Sequence, residues 1–269
     1  MSMMLPETVT EPTLRAWQAL AEQAARAGGE LLRSWATRFT AREKSRANLV
    51  TEADLASQEA IYNIIHAQCP EHGFLGEEGL NQPSETGFHW IIDPLDGTGN
   101  YVHSFPYYAV NIALAFHNEL LVGVTYDPNR DECFSAIKDG GATVNGKPIQ
   151  VSQFQELGEA FCIASLPQSR NGDSPALRRF LAVLEKAQTV QRTGSAAMNL
   201  AYVASGRLDG FWSTTLYPWD MAAGALLIQE AGGRVSRIDL SPFQVMEREI
   251  MATNNRGFHE ELSSILNSF

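Results

Sequence analysis

The eleven residues Trp90-Ile91-Ile92-Asp93-Pro94-Leu95-Asp96-Gly97-Thr98-Gly99-Asn100 constrain this chain more than any other stretch. The apolar run at their start reads as a short buried strand, stopped by Asp93-Pro94. Pro94 bends the chain so that Asp96 can face the same way as Asp93. Two carboxylates about 4 Å apart repel by roughly 4 kcal/mol at an effective dielectric near 20. Such a pair stays ionised only with a basic residue or a cation beside it, and otherwise takes up a proton. Asp-Pro and Asp-Gly are also common turn dipeptides, so the pair alone is equally compatible with an ordinary loop. Hard carboxylate oxygens in a chain with six histidines, none at metal-ligand spacing, favour magnesium over zinc. Gly97 and Thr98 expose N–H groups in a tight turn, which become an anion site if a helix opens there.

Three more acidic clusters stand at the ends of expected elements: Gly76-Glu77-Glu78-Gly79, Thr51-Glu52-Ala53-Asp54 and Trp219-Asp220-Met221. Asp54 and Asp220 both sit at helix starts, where aspartate is a favoured cap whatever else it does. Ser195 is expected to cap the helix that follows it, and a serine nucleophile is excluded because no Gly-x-Ser-x-Gly elbow surrounds it.

Hydrophobic periodicity organises the rest. Residues 13–38 read as a helix with an apolar stripe, weakened at Gly28-Gly29, where another element is expected to pack close. A charged loop, 42–46, precedes a second helix over 54–68. Strand patterns fill 89–92, 107–116, 119–126 and 132–137, with hairpin turns at His117-Asn118 and Asn145-Gly146. Beyond about residue 155, strands at 161–164, 190–192, 208–212 and 234–236 alternate with helices at 174–188, 196–204 and 221–231. The expected division is an α+β half over 1–155 and an α/β half over 156–269.

The net charge of −11 excludes non-specific nucleic-acid binding, which needs a basic surface. Three cysteines at wide spacing form neither a disulfide framework nor a zinc site and fit a reducing compartment. No leader pattern or 18-residue apolar run is present, so the expectation is a cytoplasmic protein with no membrane partner.

Taken together and in order, 90–98, 219–224, Gly76-Glu77-Glu78, 48–54 and Gly194-Ser195-Ala196-Ala197 resemble the motifs of the inositol monophosphatase family of lithium-sensitive, magnesium-dependent phosphatases. The resemblance implies a layered αβαβα sandwich and a homodimer. It implies two or three Mg2+ ions, the first held by Glu77, Asp93 and the Leu95 carbonyl, the second by Asp93, Asp96 and Asp220. Asp54 and Thr98 would orient an attacking water with Glu77 nearby, and Gly97 and Thr98 would grip the phosphate. Asp96, Gly194, Ser195, Ala196, Ser213 and Asp220 would meet the substrate. Lys44 would lie in a mobile loop near the metals.

Two positions depart from the family pattern. Gly99 replaces a common second threonine, and Ser213 stands near an acidic residue that inositol-specific members use. The implied substrate is myo-inositol monophosphate. The alternatives are fructose 1,6-bisphosphate, histidinol phosphate, 3′-phosphoadenosine 5′-phosphate, or a catalytically silent regulatory role.

Overall fold

The computed structural model describes residues 6, 9–45, 48–167 and 174–269, side chains excepted at 43–45 and 48–49. Two helices, α1 (Glu11–Trp35) and α2 (Glu52–Gln68), flank a two-stranded ribbon of β1 (Arg42–Ser45) and β2 (Asn48–Val50). The strands β3 (Gly73–Gly76), β4 (Asn81–Gln82) and β5 (Phe88–Asp96) then lead to the short helix α3 (Thr98–Val102). The meander β6 (Ala109–Phe116), β7 (Glu119–Asp127), β8 (Glu132–Ile137), β9 (Ala142–Val144) and β10 (Lys147–Pro148) completes an eight-stranded sheet of order β10-β9-β8-β7-β6-β5-β3-β4. All its pairings are antiparallel except β3 with β5.

The remaining elements are β11 (Phe161–Ala164), α4 (Pro175–Leu184), β12 (Thr189–Gln191), α5 (Ala196–Ala204), β13 (Gly210–Ser213), α6 (Pro218–Glu230), β14 (Arg234–Ser236), β15 (Ile250–Thr253) and α7 (His259–Leu266). Their strands form a second sheet, β12-β11-β13-β15-β14, parallel on the β11 side and antiparallel around β15.

Burial sorts these elements into five layers. Trp90 and Ile92 of β5 pack with Ala21, Ala25 and Leu32 of α1 and Ile61 and Ile65 of α2. The alternate residue Ile91 faces the other way, into a core with Leu200 of α5 and Leu226 of α6. That same core takes Phe211 and Ala252 from the second sheet. Beyond it Cys162, Trp212 and Met251 pack against Val183 of α4 and Leu262 and Leu266 of α7. The architecture is the αβαβα sandwich. Helix α6 lies between two sheets, and Met221 through Ile228 are all buried, as expected of a helix apolar on every side.

Glycines permit the close approaches. A Cβ on Gly28 would lie 2.7 Å from Ser57 Oγ, and one on Gly29 would lie 2.5 Å from the Tyr126 ring, so the Gly28-Gly29 pair is where α1 meets α2 and β7. Gly123 of β7 bears on function, because a Cβ there would sit 2.7 Å from the Ala223 carbonyl of α6. The contact is with backbone, which cannot rotate away. Gly123→Val is expected to destabilise the fold by roughly 1–3 kcal/mol. It should also lift α6, with Asp220 at its start, off the sheet. A denaturant melt checks this, and an unchanged midpoint would show that α6 has room to move.

The sequence reading differs from the structure in several places. Helix α4 ends at Leu184, four residues before the expected end, because β12 must begin at Thr189 to pair with Phe161. Strand β3, which had no sequence assignment, is four residues long with glycine at both ends and carries little β signal. Strand β15 and helix α7 had no sequence assignment. Strand β5 runs on through Pro94 to Asp96. Among the described residues no helix is long and apolar enough to cross a membrane.

Candidate active site

The bulge in β5 creates the site. In a regular strand residues 93 and 96 would point to opposite faces. Here Asp93 pairs with Asn111 and Asp96 with Ala109, so Pro94 and Leu95 together oppose one residue of β6. The extra residue restores the phase and puts both carboxylates on one side. Pro94 is tolerated because the bulge asks no ladder hydrogen bond of it. The Leu95 N–H donates to Asp93 Oδ1 at 3.0 Å, and the Leu95 carbonyl accepts from Thr98 Oγ1 at 3.2 Å.

Asp220 arrives from the other side of the chain. It sits three residues after Tyr217, and its Oδ2 accepts from the Tyr217 N–H at 2.7 Å, a helix-capping contact at the start of α6. Carboxylate oxygens of Asp93, Asp96 and Asp220 all lie within 4.8 Å of one another. Asp93 is 1% and Asp96 8% exposed. Glu77, at the turn after β3, lines the same cleft without joining this tight trio.

Asp96 is held from α5. Its Oδ2 accepts from Ser195 Oγ and from the Ala197 N–H at 2.7 Å. Ser195 Oγ also accepts from the Met198 N–H at 3.3 Å, so the serine caps α5 as expected. Asp54 is not the N-cap of α2; Thr51 is, and Asp54 completes the capping box by accepting from the Thr51 N–H at 2.8 Å. Its other oxygen accepts from Thr98 Oγ1 at 3.3 Å.

Electrostatics mark the cluster as incomplete. Burial, then the charges of Glu77, Asp96 and Asp220, push the Asp93 carboxyl well above the ordinary carboxylate range. Asp220 is raised likewise by burial and by Asp96. Burial raises Asp96 to about 6 against the opposing hydrogen bonds of Ser195 and Ala197, and raises Asp54 to about 7. Among the described residues no Lys, Arg or His forms an ion pair with Asp93, Asp96 or Asp220. Hard oxygens that repel one another without an ion pair among the described residues fit a divalent cation, though the Arg248 guanidinium partly offsets the rise at Asp220.

A pH dependence follows. A carboxyl raised in the fold penalises folding above its unfolded value near 3.9, and the penalty is complete once pH exceeds the folded value. In the cation-free chain this penalty grows between about pH 4 and pH 7. Cations bind the ionised form. The rise in melting temperature on adding Mg2+ is therefore expected to be larger at pH 8 than at pH 5.5. Scanning calorimetry checks it, and an equal rise at both values would contradict these ligands.

The cleft has a volume of about 630 Å3. Leu95, Gly97, Thr98, Gly194 and Ala196 line it with Glu77, Asp93, Asp96 and Asp220. Gly97 has φ 95° and Gly194 φ 95°, a left-handed conformation that favours glycine at both turns. Ser195 is fully buried behind the wall. Ser213 lies 1% exposed in β13 and is not among the residues that line the cleft; its hydroxyl accepts from the Thr215 N–H at 3.4 Å. The wall there is made by Thr215, Leu216 and Tyr217 instead. The side chain of Lys44 lies outside the described residues.

Sequence reasoning missed the rim. Arg192, Arg248 and His103 line the cleft. Arg248 sits 4.1 Å over the Tyr217 ring, which stacks on Trp219 at 4.9 Å, and donates to the Thr215 carbonyl at 2.9 Å. Its position between Glu247 and Glu249 reads as a solvated charge run, so no sequence signal marked it.

Comparison with known proteins agrees with the geometry. The inositol monophosphatase family profile matches residues 13–268. The chain is 41% identical over 260 residues to an inositol-1-monophosphatase of Synechocystis sp., covering 94% of this chain and 89% of that relative. It is 38% identical over 256 residues to Nus factor SuhB of Pseudomonas aeruginosa, covering 91% and 94%. The crystal structure of the extragenic suppressor protein suhB from Bartonella henselae superposes with a TM-score of 0.89 at 34% identity, covering 93% and 98%. With the β5 bulge, the acidic trio and the five-layer sandwich all in place, the chain belongs to the inositol monophosphatase family of phosphoric monoester hydrolases.

Proposed function

We propose that the chain is a Mg2+-dependent phosphatase acting on a small phosphate monoester, with myo-inositol monophosphate as its substrate. The observation that carries the reading is the convergence of buried Asp93 and Asp96 with half-buried Asp220, in a cleft that Gly97 and Thr98 also line. Glu77, Asp93, the Leu95 carbonyl, Asp96 and Asp220 would hold two or three ions, with Asp93 shared. Bound magnesium supplies Lewis acidity to the phosphoryl group and its leaving oxygen.

The chain's own residues do the rest. Thr98 Oγ1 and Asp54 are hydrogen-bonded to one another beside the Leu95 carbonyl. The pair would orient an attacking water, with the Asp54 carboxylate accepting its proton. The backbone N–H groups of Gly97 and Thr98, at the start of α3, bind phosphate oxygens. Gly194 and Ala196 face the leaving alcohol, and Arg248 adds positive charge at the rim. Gly194 and Ala196 of the α5 turn line the cleft and would meet the substrate hydroxyls, whereas Ser213 lies buried in β13.

A catalytically silent role is disfavoured because Glu77, Asp54, Asp93, Asp96, Thr98 and Asp220 are all retained and gathered. The experiment is phosphate release from inositol 1-phosphate, glycerol 2-phosphate, fructose 1,6-bisphosphate and 3′-phosphoadenosine 5′-phosphate, with Mg2+ and with chelator. Mg2+-dependent turnover highest on inositol 1-phosphate is expected. No release from any ester would favour the binding role. The resemblance also implies a homodimer, which light scattering tests.

A further inference from the structure

Helix α2 presents Asp54, Ser57 and Gln58 at three- and four-residue steps, on one face. Each reaches a different segment of the cleft, Asp54 through a side-chain hydroxyl and the other two through backbone. Asp54 holds Thr98, as above. Ser57, fully buried, donates to the Pro94 carbonyl at 3.0 Å. Gln58 forms two bonds to one residue: its amide donates to the Glu78 carbonyl at 3.3 Å and accepts from the Glu78 N–H at 3.2 Å.

These bonds fall where strand pairing gives out. Pro94 and Leu95 have no register partner on β6. The peptide joining them is a rigid plane. Its oxygen is fixed by Ser57 and its N–H by Asp93 Oδ1, so the serine sets the plane that orients the Asp93 carboxylate. The peptide from Glu77 to Glu78 is fixed in the same way, its N–H held by Gln58. On the preceding side the Glu77 N–H donates to the Ile92 carbonyl at 3.2 Å. Glycines let both clamps close: a Cβ on Gly28 would meet Ser57 Oγ at 2.7 Å, and one on Gly76 would meet Gln58 Oε1 at 2.6 Å.

We infer that Ser57 and Gln58 are positioning residues for the divalent-cation site, acting through the backbone on Asp93 and Glu77. Neither side chain lines the cleft, and neither belongs to the motifs that identify the family. The inference rests on the proposed cation site and adds that α2 sets its geometry before any ion arrives. Outer contacts of this kind typically change metal affinity by about 10–100-fold.

The test is Mn2+ titration by calorimetry on the whole chain and three variants: Ser57→Ala, Gln58→Met and Ser263→Ala. Ser263 is the control, a buried hydroxyl that donates to the Ile238 carbonyl at 2.5 Å, far from the cleft. Ser57→Ala removes the Ser57 bond to the Pro94 carbonyl, and Ser263→Ala removes one of the two bonds to the Ile238 carbonyl, which Asn267 Nδ2 still reaches at 2.8 Å, so both should lower the melting temperature. Only Ser57→Ala and Gln58→Met should weaken Mn2+ binding, by about tenfold or more, while Ser263→Ala binds as the parent does. Gln58 is half-buried, so its variant keeps the test alive if Ser57→Ala folds poorly. Parent-like Mn2+ affinity in Ser57→Ala and Gln58→Met would overturn the positioning role alone. A parent chain that binds no Mn2+ would overturn it together with the cation site.

Discussion

Asp96→Asn is expected to lower kcat by more than about 100-fold, the upper end of what loss of an outer contact to a metal site costs, while raising the melting temperature of the chelated protein. Asparagine keeps the shape and keeps an oxygen to accept from Ser195 Oγ and the Ala197 N–H. It removes one of three mutually repelling charges, two buried and Asp220 half-buried, which relieves the cation-free fold. It also turns an N–H donor toward the point where Asp93 and Asp220 converge, and a cation cannot accept it. Stability and catalysis should therefore move in opposite directions. Steady-state kinetics across Mg2+ concentrations and a melt in chelator read both; near-parent turnover would remove Asp96 from the ligand set.

The second large effect is at Asp54. Asp54→Asn should reduce kcat by about 10²–10⁴-fold, the range of a positioned acid or base, and leave Mn2+ affinity within about threefold. Asp54 touches Thr98 and Thr51 and does not line the cleft, so its charge is not part of the ligand trio. The amide can still accept from the Thr51 N–H, which preserves the start of α2. A loss of Mn2+ binding equal to that of Asp96→Asn would make Asp54 a ligand and leave the water without this partner.

Much of this was legible in the sequence, for identifiable physical reasons. The α1 stripe gave a helix because buried positions recur with the helical period, and Gly28-Gly29 marked a close crossing because only glycine leaves room there. Asn145 at φ 48° and Gly146 at φ 74° are the left-handed pair that a two-residue hairpin needs, and they join β9 to β10 as read. The acidic residues were visible as clusters, and the structure gathers Asp93, Asp96 and Asp220.

What escaped depends on contacts between distant residues. The bulge that brings Asp93 and Asp96 into phase shows only against the β6 register. Ser213 was singled out because it aligns near an acidic residue of inositol-specific members, and its burial in β13, paired with Ile250, shows only in the fold. Arg248 reaches the cleft because Tyr217 and the Thr215 carbonyl catch its guanidinium, 31 and 33 residues away in the chain. Strand β3 is too short to announce itself and exists because β5 and β4 pair with it.

The proposed catalysis depends on cations gathering between those side chains. Anomalous diffraction from crystals grown in Mn2+ tests that directly. Strong peaks are expected within coordinating distance of Asp93, Asp96 and Asp220, with Asp93 shared between ions and Glu77 on one of them. Peaks elsewhere only, or none while the three carboxylates stay together, would contradict it.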